Sequence, residues 1–446
     1  MSKIRASRSN QFSLSSSFWS NFVEQHWEKS PLVIKRPFGS PLAAPDEFFG
    51  ALVEASNQYR QDGTRSRLPV DHKAQIRFNI ENAQLMTDTE RYIPDVNDGS
   101  VDGYINRVTR QLDGKPFELI VHHFQAHSIE LWMRMRDFFR GLYELIGIPA
   151  EKSEAVVFLR NHAPTSFGLH KDDASVFMFI LNGRKKILAW PNDRFVAKGD
   201  MFCTMDYEPF RDEATILEGE PGDIIYWPSS YWHVGESSAE WSASISLGLR
   251  LNYQPFADVV RHLIRLVSDR LGQAPRIDTY PFDPNSLRQS ATEMPGEIRT
   301  AIDALREVSL SADIEQVNKL AWLNRVTGFG FLRVPPPLPP GRLAEDEVIY
   351  AQKDYPIVWL PWSEGRMACS ANGHSFTLRE SNCVIKMIER LNTGSAYRVK
   401  DLIEESAGSS THDSTTLLQY VLGKLYSMRA IEHYNSAECE SVNLYS

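Results

Sequence analysis

The chain has 446 residues, 42% of them hydrophobic and 24% charged, with a formal net charge of −9. That length exceeds one ordinary core and implies about two or three domains. No apolar run approaches the roughly 18 residues of a membrane-crossing helix, and the acidic balance argues against a surface built to track nucleic-acid phosphates.

The polar, basic stretch Met1 to Asn10 leads into no apolar h-region or small-residue cleavage site, so a cytoplasmic protein is expected. Phe18, Trp19, Phe22, Val23 and Trp27 stand at helical spacing, and Pro31-Leu32-Val33-Ile34 reads as an extended run. Between Ser128 and Ile146 the positions Leu131, Met135, Phe138, Phe139, Leu142, Leu145 and Ile146 mark one face of an amphipathic helix, which Pro149 stops.

From about Glu154 to Asn252 short Val-, Ile-, Phe-, Tyr- and Trp-rich runs alternate with Gly, Pro, Asn and Asp. Runs at Ala155-Leu159, Val176-Leu181, Lys186-Trp190, Asp223-Trp227 and Ala243-Arg250 indicate a mainly β sandwich or barrel. Helical periodicity returns at Val260-Leu271, Ile298-Leu305 and Ile314-Leu320. Val334-Pro335-Pro336-Pro337-Leu338-Pro339-Pro340-Gly341 cannot be helix and reads as a stiff linker. Strand-like pieces at Pro356-Leu360, Met367-Ala371 and Ser375-Leu378, then helical patterns at Val384-Leu391, Val399-Glu404 and Leu417-Met428, form a small α+β module. Cys203, Cys369, Cys383 and Cys439 contain no C-x-x-C pair, a pattern of free thiols rather than of a disulfide frame or zinc site.

A His-x-Asp/Glu triplet is weak by itself: 12 His and 57 acidic residues in 446 give about 1.5 by chance (12 × 57/446), and two occur. His26-Trp27-Glu28 sits in a helical pattern, where residues two apart face different ways, and is read as structural. His170-Lys171-Asp172 enters the strand-rich region, where residues two apart share a face and can chelate one ion. A two-His-one-carboxylate triad leaves positions open for co-substrate and dioxygen and needs a third ligand. His233, ending a turn, strand and Pro-marked loop from Pro221, is the best candidate. By itself it reads equally as a hydrogen-bonded histidine in an aromatic cluster.

The stretch His170 to Lys186 and the segment ending at His233 resemble the cupin-like JmjC-domain oxygenases, especially the ribosomal oxygenase subgroup. The opening from Phe18 to Ile34 is also similar, so the resemblance covers roughly residues 12 to 253. It implies a double-stranded β-helix and metal ligation by His170, Asp172 and His233. It also implies Fe(II) as cofactor, with 2-oxoglutarate and dioxygen as co-substrates. In this family a basic residue on the strand after the His-x-Asp pairs with the distal carboxylate of 2-oxoglutarate, and the matching position is Lys185, with Arg184 and Lys186 as the alternatives on the opposite face. Relatives often have Tyr where this chain has Phe158, so that hydroxyl contact to the co-substrate is either lost or replaced by Ser244, Ser246, Asn161 or Ser166, with the two strand serines favoured. Asn161 and Asp173 are candidate supports around the metal.

The expected domains are a JmjC/cupin-like catalytic domain at 1–253 (β-helix core about 118–253), a helical segment at 254–333 open to a dimerising role, a linker at 334–342 and a winged-helix-like domain at 343–446. The expected function is hydroxylation of a protein or peptide side chain coupled to conversion of 2-oxoglutarate to succinate, a ribosomal protein being one such substrate. Alternatives are a small-metabolite hydroxylase and a non-catalytic cupin-like binding protein. From Lys386 to Tyr434 six positive side chains meet six negative ones, which favours a polypeptide over nucleic acid as partner. His122 and His123, as neighbours on a strand, are expected to face opposite ways, one packed and one exposed.

Overall fold

The computed structural model of the chain describes residues 11–65, 75–81, 83–162, 167–198, 204–237, 241–251, 254–272, 296–408 and 412–434. Contacts divide it into two compact units, one formed by Met1–Asn252 with Gly328–Leu338 and His433–Ser446, the other by Tyr253–Thr327 with Pro339–Glu432.

The first unit opens with helix α1 (Ser16–Gln25), strand β1 (Leu32–Ile34) and helix α2 (Pro45–Arg65). Strands β2 (Ile76–Ile80) and β3 (Ala83–Gln84) follow, then α3 (Val101–Gln111), β4 (Phe117–Val121) and α4 (Ile129–Ile146). Eight more strands complete it: β5 (Ser153–Arg160), β6 (His170–Lys171), β7 (Ala174–Asn182), β8 (Lys185–Trp190), β9 (Thr215–Gly219), β10 (Ile224–Trp227), β11 (Trp232–Ser237) and β12 (Ser242–Arg250). They form an eight-stranded sheet, β1-β10-β7-β12-β5-β4-β2-β3, and a four-stranded sheet, β6-β11-β8-β9, antiparallel throughout. This is the mainly β core expected from the sequence, built from two antiparallel sheets.

β7 shows why the sequence builds two layers on one sheet. Its even positions Val176, Met178 and Ile180 pack with Ile187, Leu217, Ile225 and Trp227 between the sheets. Its odd positions Phe177 and Phe179 turn outward, with ring centroids 5.5 and 5.0 Å from Phe138 of α4. A strand buried on both faces reads as a continuous apolar run. Helix α1 closes on α4 at Gly141, where a side chain would start 2.3 Å from Trp19 Cδ1, so only glycine permits that approach. The α4 helix ends earlier than Pro149, at Gly147, whose φ of +81° turns the chain out of the helix.

The start of the proline-rich stretch is fastened rather than free. Phe331 is buried in the first unit's core, and Gln125 Nε2 donates to the Arg333 carbonyl at 2.9 Å.

The second unit contains helices α5 (Pro255–Leu271), α6 (Gly296–Leu310) and α7 (Ala312–Thr327). After them come β13 (Val348–Ala351), β14 (Val358–Ser363), β15 (Arg366–Ala371) and β16 (His374–Arg379). The rest is α8 (Asn382–Leu391), β17 (Tyr397–Arg398), α9 (Val399–Ala407), α10 (His412–Ser427) and β18 (Ile431–His433). Its core joins Met387, Ile388 and Leu391 of α8 to Leu402 of α9, to Leu418, Val421 and Leu425 of α10, and to Ile349 and Met367 of the sheets. Helix α7 lies on the β14-β15-β16 sheet, where the Thr327 and Ser370 hydroxyls are 2.8 Å apart. Cys369 is buried and Cys383 half-buried, both as free thiols, while Cys203 and Cys439 lie outside the described residues.

Candidate active site

A cavity of about 280 Å³ opens between the two sheets of the first unit. β6 ends at Lys171, so Asp172 follows directly on the strand that carries His170, and β11 pairs with β6 so that His233 stands opposite His170. One ligand atom from each of His170, Asp172 and His233 lies within 4.8 Å of the other two, the only such cluster among the described residues. His170 Nε2 is 3.8 Å from Asp172 Oδ1, and His233 Nε2 is 3.5 Å from Asp172 Oδ2.

The His170 ring is oriented from behind: its Nδ1 sits 2.7 Å from the Gly168 carbonyl, so Nδ1–H donates there and the Nε2 lone pair faces the site. Trp227 packs 4.9 Å from the His233 ring. Burial, and then the neighbouring His170, push the His233 pKa down to about 4 against the pull of Asp172, which keeps the imidazole neutral, as a ligand must be. Two imidazoles and one carboxylate converging without a fourth donor among the described residues fit an open-sided divalent iron site.

The far end of the cavity is cationic. Lys185 is 3% exposed and points inward, whereas Arg184 pairs with Glu220 at 2.6 Å and Lys186 with Glu218 at 2.8 Å on the outside. The alternation expected for this strand therefore puts Lys185, not its neighbours, inside. No hydrogen-bond partner is found for its ammonium among the described residues. Next to it Arg160 Nη2 is 2.8 Å from Glu118 Oε1, a pair that sequence reasoning missed because β4 and β5 bring it together only in the fold. Burial, and the Arg160 charge after it, hold the Lys185 pKa well below the usual lysine range, with Glu118 opposing. A buried cationic end of this kind calls for an anion.

Ser244 and Ser246 line the same cavity, fully and nearly fully buried, and their hydroxyls have no hydrogen-bond partner among the described residues. Ser244 stands opposite Phe158 in the β12–β5 register, so a hydroxyl is available beside the position where relatives often carry Tyr. Asn161 is placed elsewhere: its Oδ1 accepts from the Phe117 amide at 2.8 Å and its Nδ2 reaches Thr109 and Lys115, outside the cavity lining. Ser166 lies outside the described residues.

The mouth of the cavity is polar. Asp173 accepts from Arg250 Nε at 2.8 Å. His122 and His123 do not separate to opposite faces, because the chain turns at His123 (φ +54°) and both rings reach Glu154, at 3.0 and 3.5 Å. Burial raises the Glu154 pKa, but the His122 hydrogen bond and the charges of His123 and Arg250 outweigh it and leave the carboxyl at about 2. Glu28 of the other His-x-Glu triplet is structural, accepting from Ser229 Oγ at 2.7 Å and from Ser175 Oγ.

Residues 143–255 match the family model described as the JmjC domain. Over 346 residues, 75% of this chain and 78% of the relative, the chain is 24% identical to ribosomal protein uL16 3-hydroxylase of Escherichia coli (strain K12). Solved structures similar to it include YcfD, a ribosomal oxygenase from Escherichia coli, in complex with cobalt and succinic acid (17% identity, 94% of this chain and 98% of that one, TM-score 0.45). Another is the same protein in complex with cobalt and 2-oxoglutarate (17% identity, the same coverage, TM-score 0.43). The three converging side chains and Lys185 all lie within the segment that matches the JmjC domain.

Proposed function

We propose that the chain is an Fe(II)- and 2-oxoglutarate-dependent dioxygenase that hydroxylates a polypeptide side chain. The carrying observation is the layout of one cavity, with a His-Asp-His cluster at one end and the buried ammonium of Lys185 at the other. His170, Asp172 and His233 would hold the iron, which when bound supplies the chemistry that activates dioxygen and couples C–H hydroxylation to decarboxylation of 2-oxoglutarate to succinate. Lys185 binds the distal carboxylate, with a hydroxyl from Ser244 or Ser246 completing its hydrogen bonds. Trp227, Val176 and Met178 keep water from the reacting face. The Gly168 carbonyl keeps the proton on His170 Nδ1 and so fixes which nitrogen faces the metal.

The Asp172 side chain is 41% exposed, so the triad meets the cavity mouth, and the site suits a side chain presented by a macromolecule. The likeness to a uL16 hydroxylase supports a ribosomal protein as substrate class. We read 343–446 as a winged-helix-like module that recruits this polypeptide, and 254–333 as a homodimerising segment, since Phe256 (65% exposed), Ile264 (57%) and Leu310 (88%) leave α5 and α6 with uncovered apolar positions. No helix among the described residues is long and apolar enough to cross a membrane; free thiols and ferrous iron suit the cytoplasm.

The test is incubation of the Fe(II) protein with 2-oxoglutarate, dioxygen and ribosomal or lysate fractions, followed by mass spectrometry. The expected result is one added oxygen atom on a peptide, with succinate formed in step. Product confined to small metabolites would refute the polypeptide assignment.

A further inference from the structure

We infer that Gly235 sizes the channel in which the co-substrate lies, so that this one missing side chain sets which metal chelators the site accepts; the inference rests on the 2-oxoglutarate reading above. Strands β11 and β8 pair so that three cross-strand rows face the cavity: His233 with Ala189, Gly235 with Ile187, and Ser237 with Lys185. The first row carries a metal ligand and the last carries the ammonium. A ligand that chelates at the triad and ends on Lys185 must cross the middle row. Strand rise is about 3.3 Å per residue, so His233 and Ser237 stand roughly 13 Å apart, a span filled by an imidazole, an extended diacid and a lysine side chain.

Nothing in the fold demands glycine at 235. Its φ is not positive, so every L-residue can adopt its backbone. A Cβ built there meets only Ile187 Cδ1, at 3.4 Å, the far end of a flexible side chain. Glycine inside a strand weakens it and leaves nothing to pack, and it often marks a close approach by a ligand. At 235 the space in front of the backbone is the cavity itself. A methyl group there intrudes on the methylene chain of 2-oxoglutarate, while a two-carbon chelator confined to the metal never reaches it.

The experiment uses the full chain loaded with Mn(II), as wild type, Gly235→Ala and Gly235→Val, titrated calorimetrically with 2-oxoglutarate and separately with oxalate, alongside melting temperatures. Oxalate affinity should be equal in all three proteins. Affinity for 2-oxoglutarate should fall at least tenfold in Gly235→Ala and more than a hundredfold in Gly235→Val. Gly235→Ala should melt at the wild-type temperature or above it, because alanine restricts the unfolded chain. Unchanged 2-oxoglutarate affinity in both variants overturns the inference and leaves the enzyme reading standing. Loss of oxalate together with 2-oxoglutarate also overturns it, since the damage would then lie at the triad. A wild type that takes oxalate but not 2-oxoglutarate would remove the co-substrate reading itself.

Discussion

Replacing Lys185 with methionine keeps the length of the side chain and removes its charge, and it separates two effects that usually move together. In the empty protein Lys185 is 3% exposed beside Arg160, with Glu118 already spent on that arginine. A group whose folded pKa is depressed binds fewer protons folded than unfolded, so the empty protein carries a cost near neutral pH that methionine relieves. The variant should therefore melt at the wild-type temperature or higher. Co-substrate binding should behave oppositely. Leaving a buried carboxylate short of its charged partner costs on the order of 2 to 4 kcal/mol, which is roughly 30- to 900-fold in Kd. Anaerobic titration of the iron-loaded protein reads this, with Trp227 fluorescence beside His233 as a second signal. The bound carboxylate requires the ammonium form, so wild-type affinity should fall as pH rises above the empty-site pKa, by up to about tenfold per unit. Lys185→Arg should abolish that slope, because guanidinium keeps its proton. Equal 2-oxoglutarate affinity in wild type and Lys185→Met would refute this role of Lys185 and move the anion to Arg160 or elsewhere.

Gly141→Ala should destabilise the first unit by about 1 to 3 kcal/mol, read by denaturant titration, because its Cβ would start 2.3 Å from Trp19 Cδ1. Acidification from pH 6.5 to 4 should destabilise the metal-free protein. Burial holds His123, His127 and His233 at about 4, so stability is full above the unfolded value near 6.5 and is lost as pH falls through the folded pKa, on the order of 3 kcal/mol for each. A flat melting temperature across that range would contradict it. Truncation after Leu338 should leave metal affinity unchanged and slow hydroxylation of a polypeptide; equal rates on the polypeptide would remove the recruiting role of 343–446.

Period-two logic made much of the site legible, because same-face projection ties His170 to Asp172 and alternation along Arg184, Lys185 and Lys186 puts only one of three cations inside. His233 was found by its context, but its strand was not. β11 reads poorly as a strand because Gly235, Glu236 and Ser237 break the apolar pattern, and the lining of a ligand channel gives a reason for that break. The Arg160–Glu118 pair was invisible, since a buried cation in a strand announces itself only through its cross-strand partner. The joint attachment of His122 and His123 to Glu154 was hidden by a left-handed residue with no glycine to signal it. Helices α5 to α7 were legible as elements, whereas their grouping with 339–432 depends on contacts that periodicity does not encode.

Iron binding by His170, Asp172 and His233 is the part of the proposed function on which the rest depends. Its most direct test is anaerobic Fe(II) titration of wild type, His170→Ala, Asp172→Ala and His233→Ala, each with circular dichroism and iron-dependent succinate formation. About one iron per wild-type chain is expected, with a lost site and lost turnover in every variant despite a retained fold. Undiminished iron binding and turnover in a folded His233→Ala protein would contradict it.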